Sequence, residues 1–141
     1  MNQNPLNRTA PPPSGRQSGP AVLIVEDEDG LRGFIRRLLQ EEGYAVLEAS
    51  NGAKALQLLE NVAVHEVGLV LTDLRMPIMD GRQLAAALAR LRPSLPIIFM
   101  SGYTAQLMDM RLVSPELTFL AKPLRQDDLL AAVRGRLEPQ P

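Results

Sequence analysis

Leu69-Val70-Leu71-Thr72-Asp73 is a mostly apolar run that closes on a carboxylate, and Leu74-Arg75-Met76-Pro77 follows it directly. Three similar runs also end on polar groups. Val22-Leu23-Ile24-Val25 is closed by Glu26 and Asp27, Ile97-Ile98-Phe99-Met100 by Ser101, and Thr118-Phe119-Leu120-Ala121 by Lys122. With residues 44–48 these runs predict strands at 21–25, 44–48, 67–72, 97–100 and 118–121. Strands that are apolar throughout are buried on both faces, as in a parallel sheet covered by helices.

Helical patterns fill the gaps. Residues 29–42 carry Leu31, Phe34, Ile35, Leu38 and Leu39 on one face, with Arg32, Arg36, Arg37 and Glu41 on the other. Gly43 supplies the stop. Ser50 is placed to cap a helix running to about Glu60. Asp80 or Gly81 opens a third helix with Leu84, Ala87, Leu88 and Leu91 inward, and Pro93 lies beyond its end. Residues 104–113 form a weaker pattern with Leu107, Met108 and Leu112, and residues 126–137 present Leu129, Leu130, Val133 and Leu137. Strand–helix alternation implies right-handed βαβ units and a doubly wound α/β fold. In that class ligands sit beyond the carboxyl ends of the strands, where Glu26, Asp27, Asp73, Ser101 and Lys122 all lie.

Three carboxylates in one pocket repel one another, and a hard divalent cation relieves that repulsion. Oxygen ligands point to Mg²⁺, with Mn²⁺ also suited. Asp27 and Asp73 are the direct ligands in this reading, with Glu26 direct or through water and the Arg75 backbone carbonyl as a further ligand. A carboxylate is also a nucleophile toward phosphorus. Lys122 would meet one phosphoryl oxygen with a point charge and Ser101 another with a hydroxyl. Lys122-Pro123 is a turn and a site for a cis peptide. Taken singly, a Ser after a strand is usually a cap and a Lys is usually solvated. The ordered set is what carries the reading. Glu28 and Asp29 are read as solvated helix-start charges.

The rest of the chain narrows the classes. It has 141 residues, net charge -1 and no cysteine, so thiol chemistry, disulfides and Cys-bound zinc are excluded. No polybasic patch favours nucleic acid or an anionic membrane. No apolar run reaches the ~20 residues of a membrane span, and no secretory signal opens the chain, so a cytoplasmic protein is expected. Residues 1–20, with Pro5, Pro11, Pro12, Pro13 and Pro20, read as a disordered tail before one domain at 21–138. His65 is read as a solvated loop residue.

Val25-Glu26-Asp27-Glu28, Leu71-Thr72-Asp73-Leu74-Arg75-Met76-Pro77, Asp80-Gly81, Met100-Ser101-Gly102-Tyr103 and Phe119-Leu120-Ala121-Lys122-Pro123 together resemble the receiver domains of bacterial two-component response regulators. The resemblance spans about residues 21–137. It implies a flavodoxin-like five-stranded parallel sheet of order 2-1-3-4-5 flanked by five helices. It also implies Asp73 as phosphoacceptor, Glu26 and Asp27 as the metal-binding acidic pair, Lys122 as the family lysine, and Ser101 and Phe119 as the switch pair. Phosphorylation in such proteins changes the partners of the face formed by the fourth helix, fifth strand and fifth helix. The implied donor is a histidine kinase or histidine phosphotransfer protein, and the implied output is a downstream protein target.

Some positions vary from the usual pattern. Glu26 stands where many receivers have Asp, and Phe119 has no hydroxyl for a tyrosine-type hydrogen bond. Arg75 and Tyr103 sit where the family tunes acyl-phosphate lifetime. The end of the chain soon after the fifth helix is expected to leave no output domain, whether the unit is a single-domain regulator or the receiver of a hybrid histidine kinase. The protein would catalyse only its own phosphorylation and dephosphorylation and is not otherwise an enzyme. The alternative is a degenerate receiver that binds partners independently of phosphorylation. A phosphatase with an Asp nucleophile ranks last, because its usual second acid would stand at Arg75. A dinucleotide-binding domain is disfavoured, because no Gly-rich turn follows the first strand.

Overall fold

A computed structural model describes residues 19–63, 66–113 and 117–137. The chain runs β1 (Ala21–Val25), α1 (Asp29–Glu41), β2 (Val46–Ala49), α2 (Gly52–Glu60), β3 (Val67–Asp73), α3 (Gly81–Leu91), β4 (Ile97–Ser101), α4 (Thr104–Val113), β5 (Thr118–Ala121) and α5 (Gln126–Leu137). All five strands are parallel, in the order β2-β1-β3-β4-β5. The doubly wound α/β class is the one the strand–helix alternation implied, and the strand order is the one the resemblance implied.

The all-apolar strands follow from a sheet covered on both sides. Successive side chains point to opposite faces. Val22, Ile24, Leu69 and Leu71 pack with Ile35, Leu38 and Leu39 of α1 and Leu129, Leu130 and Val133 of α5. Leu23, Val25 and Val70 meet Ala55 and Leu59 of α2 and Leu84 and Leu88 of α3 on the other side. Leu74 and Phe99 form a third cluster with Met110 and Phe119. Each fully buried Leu, Ile or Val contributes roughly 1.5–3 kcal/mol of transfer free energy. That burial holds the strand ends in fixed register.

The register brings the carboxyl ends level. Val25 stands beside Thr72 and Asp73 beside Met100, while Ser101 stands beside Ala121. At the opposite edge, Gly68 near the start of β3 has no room for a side chain. An added Cβ would lie 2.8 Å from both Pro20 and Leu137, so the residue before β1 and the last residue of α5 meet there.

Several expectations shift. Strand β2 begins at Val46 rather than at residue 44. The Tyr44 N–H donates to Leu39 O, which makes Tyr44 part of the turn closing α1 rather than of the sheet. Helix α1 ends at Glu41, and Gly43 takes the positive φ of 94° that its turn requires. Asn51, not Ser50, caps α2: its backbone is extended and its side chain accepts the Lys54 N–H. Asp80 caps α3 in a reciprocal box with Gln83. Leu91 is 63% exposed rather than inward, because the packed stripe of α3 ends one turn earlier at Leu88. Phe34, also placed on the inner face, is 37% exposed. The readings of residues 1–18, of His65 and of Glu138 at the domain's end, and of the Leu107 side chain, fall outside what is described. Among the described residues no helix is long and apolar enough to cross a membrane.

Candidate functional site

Asp73 is the last residue of β3, buried between two neighbouring strands. The Thr72 hydroxyl donates to the Asp73 carbonyl oxygen (2.9 Å), and the Leu74 N–H donates to Met100 O (3.0 Å). The chain then doubles back, with the Gly81 N–H on Leu74 O at 3.0 Å. That return passes so close that a Cβ on Gly81 would lie 2.3 Å from the Asp73 carbonyl oxygen. In the same loop Ile78 holds φ 70°, a rare conformation for a β-branched residue, with its side chain exposed.

Glu26 and Asp27 follow β1. Glu26 is 1% exposed, whereas Asp27 is at the surface. One carboxylate oxygen from each of Glu26, Asp27 and Asp73 lies within 4.8 Å of the others. Lys122, just after β5, reaches back across β4. Its Nζ stands 3.1 Å from Asp73 Oδ2 and 3.2 Å from Glu26 Oε1. Its own N–H donates to Ser101 O (2.9 Å), and the Lys122–Pro123 peptide is cis. Ser101 ends β4 and is buried. Its Oγ accepts the Tyr103 N–H at 2.9 Å, which leaves the hydroxyl proton to donate elsewhere. Glu26, Asp27, Asp73 and Lys122 thus form one group, and Ser101 is joined to it through its main-chain carbonyl on the Lys122 N–H.

Burial pushes the Glu26 carboxyl above its ordinary value, and the neighbouring Asp73 charge adds to the rise. The Glu28 N–H on Glu26 Oε2 and the Lys122 ammonium offset this only in part. For Lys122, burial works to lower the ammonium, but the Asp73 and Glu26 carboxylates outweigh it and hold it above the usual lysine range. Lys122 is therefore a cation near neutral pH. The pocket offers a surplus of carboxylate oxygen around one ammonium, a donor set that fits a small hard cation such as Mg²⁺.

Two features lie beyond the sequence reading. The Arg75 side chain stacks over the Tyr103 ring, 4.4 Å from its centroid. Arg32, assigned to the outer face of α1, is instead largely covered and donates to the Glu26 carbonyl oxygen at 2.8 Å. A side chain that bonds a main-chain carbonyl leaves no residue-type signal. Its spacing of three from Asp29, with which it forms a 2.7 Å ion pair, was the visible clue. Phe119 is half-buried, its ring 6.0 Å from that of Phe99. Glu28 and Asp29 are exposed at the start of α1.

Known proteins resemble this chain in sequence and fold. The family model for the response regulator receiver domain matches residues 22–134. The sensor kinase CckA of Brucella abortus (strain 2308) is 40% identical over 120 residues, which cover 84% of this chain and 13% of that protein. The response regulator receiver protein CpdR of the same organism is 32% identical over 117 residues, covering 82% of this chain and 95% of that protein. A crystal structure of a CheY-like receiver domain protein from Methanospirillum hungatei JF-1 aligns with a TM-score of 0.74 at 28% identity. It covers 84% of this chain and 94% of the other. The same unit is thus a small part of one relative and nearly all of another. With a family match that runs from β1 into α5, the chain belongs to the response regulator receiver domains of two-component signalling.

Proposed function

We propose that this receiver takes a phosphoryl group onto Asp73 from the phosphohistidine of a partner kinase or phosphotransfer protein. The observation that carries the reading is the Lys122 ammonium within 3.2 Å of both Glu26 and Asp73, at the edge of a three-carboxylate cluster. An Asp73 carboxylate oxygen attacks phosphorus, the N–P bond breaks, and the imidazole leaves with its electron pair. Attack by water later returns the free carboxylate and phosphate. The protein catalyses these two steps on itself and has no separate product-forming substrate.

Glu26, Asp27, Asp73 and the Arg75 backbone carbonyl are the groups that would hold Mg²⁺. When bound, that ion supplies neutralising charge to the phosphoryl oxygens. Lys122 exchanges part of its contact with Asp73 for a phosphoryl oxygen, and the Ser101 hydroxyl donates to another. Drawing Ser101 toward the new anion opens space beside β4, and Phe119 moves further into it. The surface of α4, β5 and α5 then presents a different face to a downstream protein. This is a shift between two packings biased by one added anion.

Intact mass after incubation with acetyl phosphate tests the proposal. Wild type with Mg²⁺ is expected to gain one phosphoryl adduct, and Asp73→Asn or omission of Mg²⁺ to abolish it. A folded wild type that gains no adduct and does not bind beryllofluoride would instead be a phosphorylation-independent binding module.

A further inference from the structure

Asp27 presents an unusual problem of placement. Glu26 is fixed on both carboxylate oxygens, by Lys122 and by the Glu28 N–H. Asp73 is fixed by the sheet and by Lys122. Asp27 is exposed, and its carboxylate accepts no hydrogen bond from the described residues. Its position depends on the backbone between the end of β1 and the start of α1.

The Glu28 N–H on Glu26 Oε2 ties one side of that backbone, and the Arg32 side chain holds the other. The Glu26 N–H still pairs with the sheet, on Ala49 O at 3.1 Å, but the Glu26 carbonyl is where the chain leaves the ladder. That oxygen accepts from Arg32 Nη1 at 2.8 Å. Fixing it fixes the plane of the Glu26–Asp27 peptide, and so the direction in which Asp27 projects. The guanidinium is itself held from two other sides, with Nη2 on Asp29 at 2.7 Å and Nε on Glu48 of β2 at 3.1 Å. Glu48 is bracketed in turn by Arg36 at 3.2 Å. The Arg32 side chain is 18% exposed. A planar fork anchored by all three nitrogens has little freedom left.

We propose that Arg32 is the positioning residue of the cation site, preassembling Asp27 beside Glu26 and Asp73 through the Glu26 carbonyl. The inference rests on the reading of those three carboxylates as a Mg²⁺ site. Positioning and electrostatics predict opposite signs here. Arg32 carries a positive charge a few residues from the site, so as a point charge it would repel the ion. As a brace it strengthens binding. Outer partners that orient metal ligands commonly change affinity by ~10–100-fold.

The test is calorimetric titration of the full chain with MgCl₂ alone, on wild type, Asp27→Asn, Arg32→Met, Arg32→Lys and Arg134→Gln. Arg134 pairs with Glu42 away from the site, so Arg134→Gln controls for the general loss of an ion pair on α1 or α5. Arg32→Met is expected to weaken Mg²⁺ binding about ten-fold, although it removes a repelling charge. Arg32→Lys keeps the charge, loses the fork, and is expected to weaken binding by a similar factor. Arg134→Gln should bind as wild type does. Arg32→Met or Arg32→Lys binding Mg²⁺ as tightly as wild type would overturn the proposal while leaving the cation site intact. If Arg32→Met does not fold, as judged by circular dichroism, Arg32→Lys decides alone. A wild type that binds no Mg²⁺, like Asp27→Asn, would overturn the cation site itself and the proposal with it.

Discussion

The Lys122 ammonium lies 3.1 Å from Asp73 Oδ2, a contact that joins the ends of two strands separated by β4. It is the direct link between β5, on one edge of the sheet, and the candidate phosphoacceptor near its centre. It is also the cation paired with both the Glu26 and the Asp73 carboxylates.

Lys122→Met is therefore expected to destabilise the protein. Breaking a fully buried pair costs ~3–5 kcal/mol. The lysine side chain is 23% exposed, and solvent screening reduces the loss to about 2 kcal/mol. Urea denaturation in the absence of Mg²⁺ measures it. An unchanged midpoint would mean that the contact carries no stability. The same variant should also acquire its phosphoryl adduct more slowly than wild type.

Glu26 predicts a pH dependence of definite sign. Its carboxyl is raised in the folded state above the ordinary 4.5, first by burial and then by Asp73. Protonation is thus easier in the folded chain than in the unfolded one. The contribution to stability is fully present below 4.5 and is lost as pH rises through the folded value. Near neutral pH the ionised group is a net burden on the metal-free protein. Glu26→Gln should raise the melting temperature at pH 7.5 without Mg²⁺, and the advantage should shrink toward pH 4. Added Mg²⁺ should close the gap from the other side, stabilising wild type by about 2.7 kcal/mol at a hundred-fold excess over Kd. A Glu26→Gln protein less stable than wild type at pH 7.5 would show that the hydrogen bonds to Glu26 outweigh its desolvation.

Gly81 and Gly30 form a matched pair of substitutions. Gly81→Ala drives a methyl to within 2.3 Å of the Asp73 carbonyl, so β3 or the α3 start must move. It is expected to cost about 1–3 kcal/mol and to slow adduct formation, because Asp73 itself is displaced. Gly30→Ala meets nothing within 4 Å in the first turn of α1 and should stabilise by roughly 0.5 kcal/mol. Equal effects at both sites would mean that the close approach at Gly81 is readily relieved.

The fold was legible because the strands announce themselves by composition. Val22 to Val25 and Leu69 to Leu71 are apolar at every position, short and rich in β-branched residues, as strands of a sheet covered on both faces are. The polar groups of the site were legible because each one breaks such a run at its end. Local geometry was less so. Ser50 and Asn51 are both good caps, and only the backbone decides which side chain reaches the Lys54 N–H. Periodicity places Leu91 on the inner face of α3 without saying that the sheet no longer lies opposite it. Arg32 was hidden for a third reason. Its acceptor beside the site is a carbonyl oxygen, which every residue possesses, so nothing about Glu26 as a residue type marks the contact.

Pro20 and Leu137 meet over Gly68 at the edge of the sheet remote from Asp73. The residue before β1 and the last residue of α5 therefore lie on the far side of the unit from Asp73. The site and the two attachment points of the domain thus sit at opposite ends of β3. That geometry suits a domain occupying 13% of one relative and 95% of another.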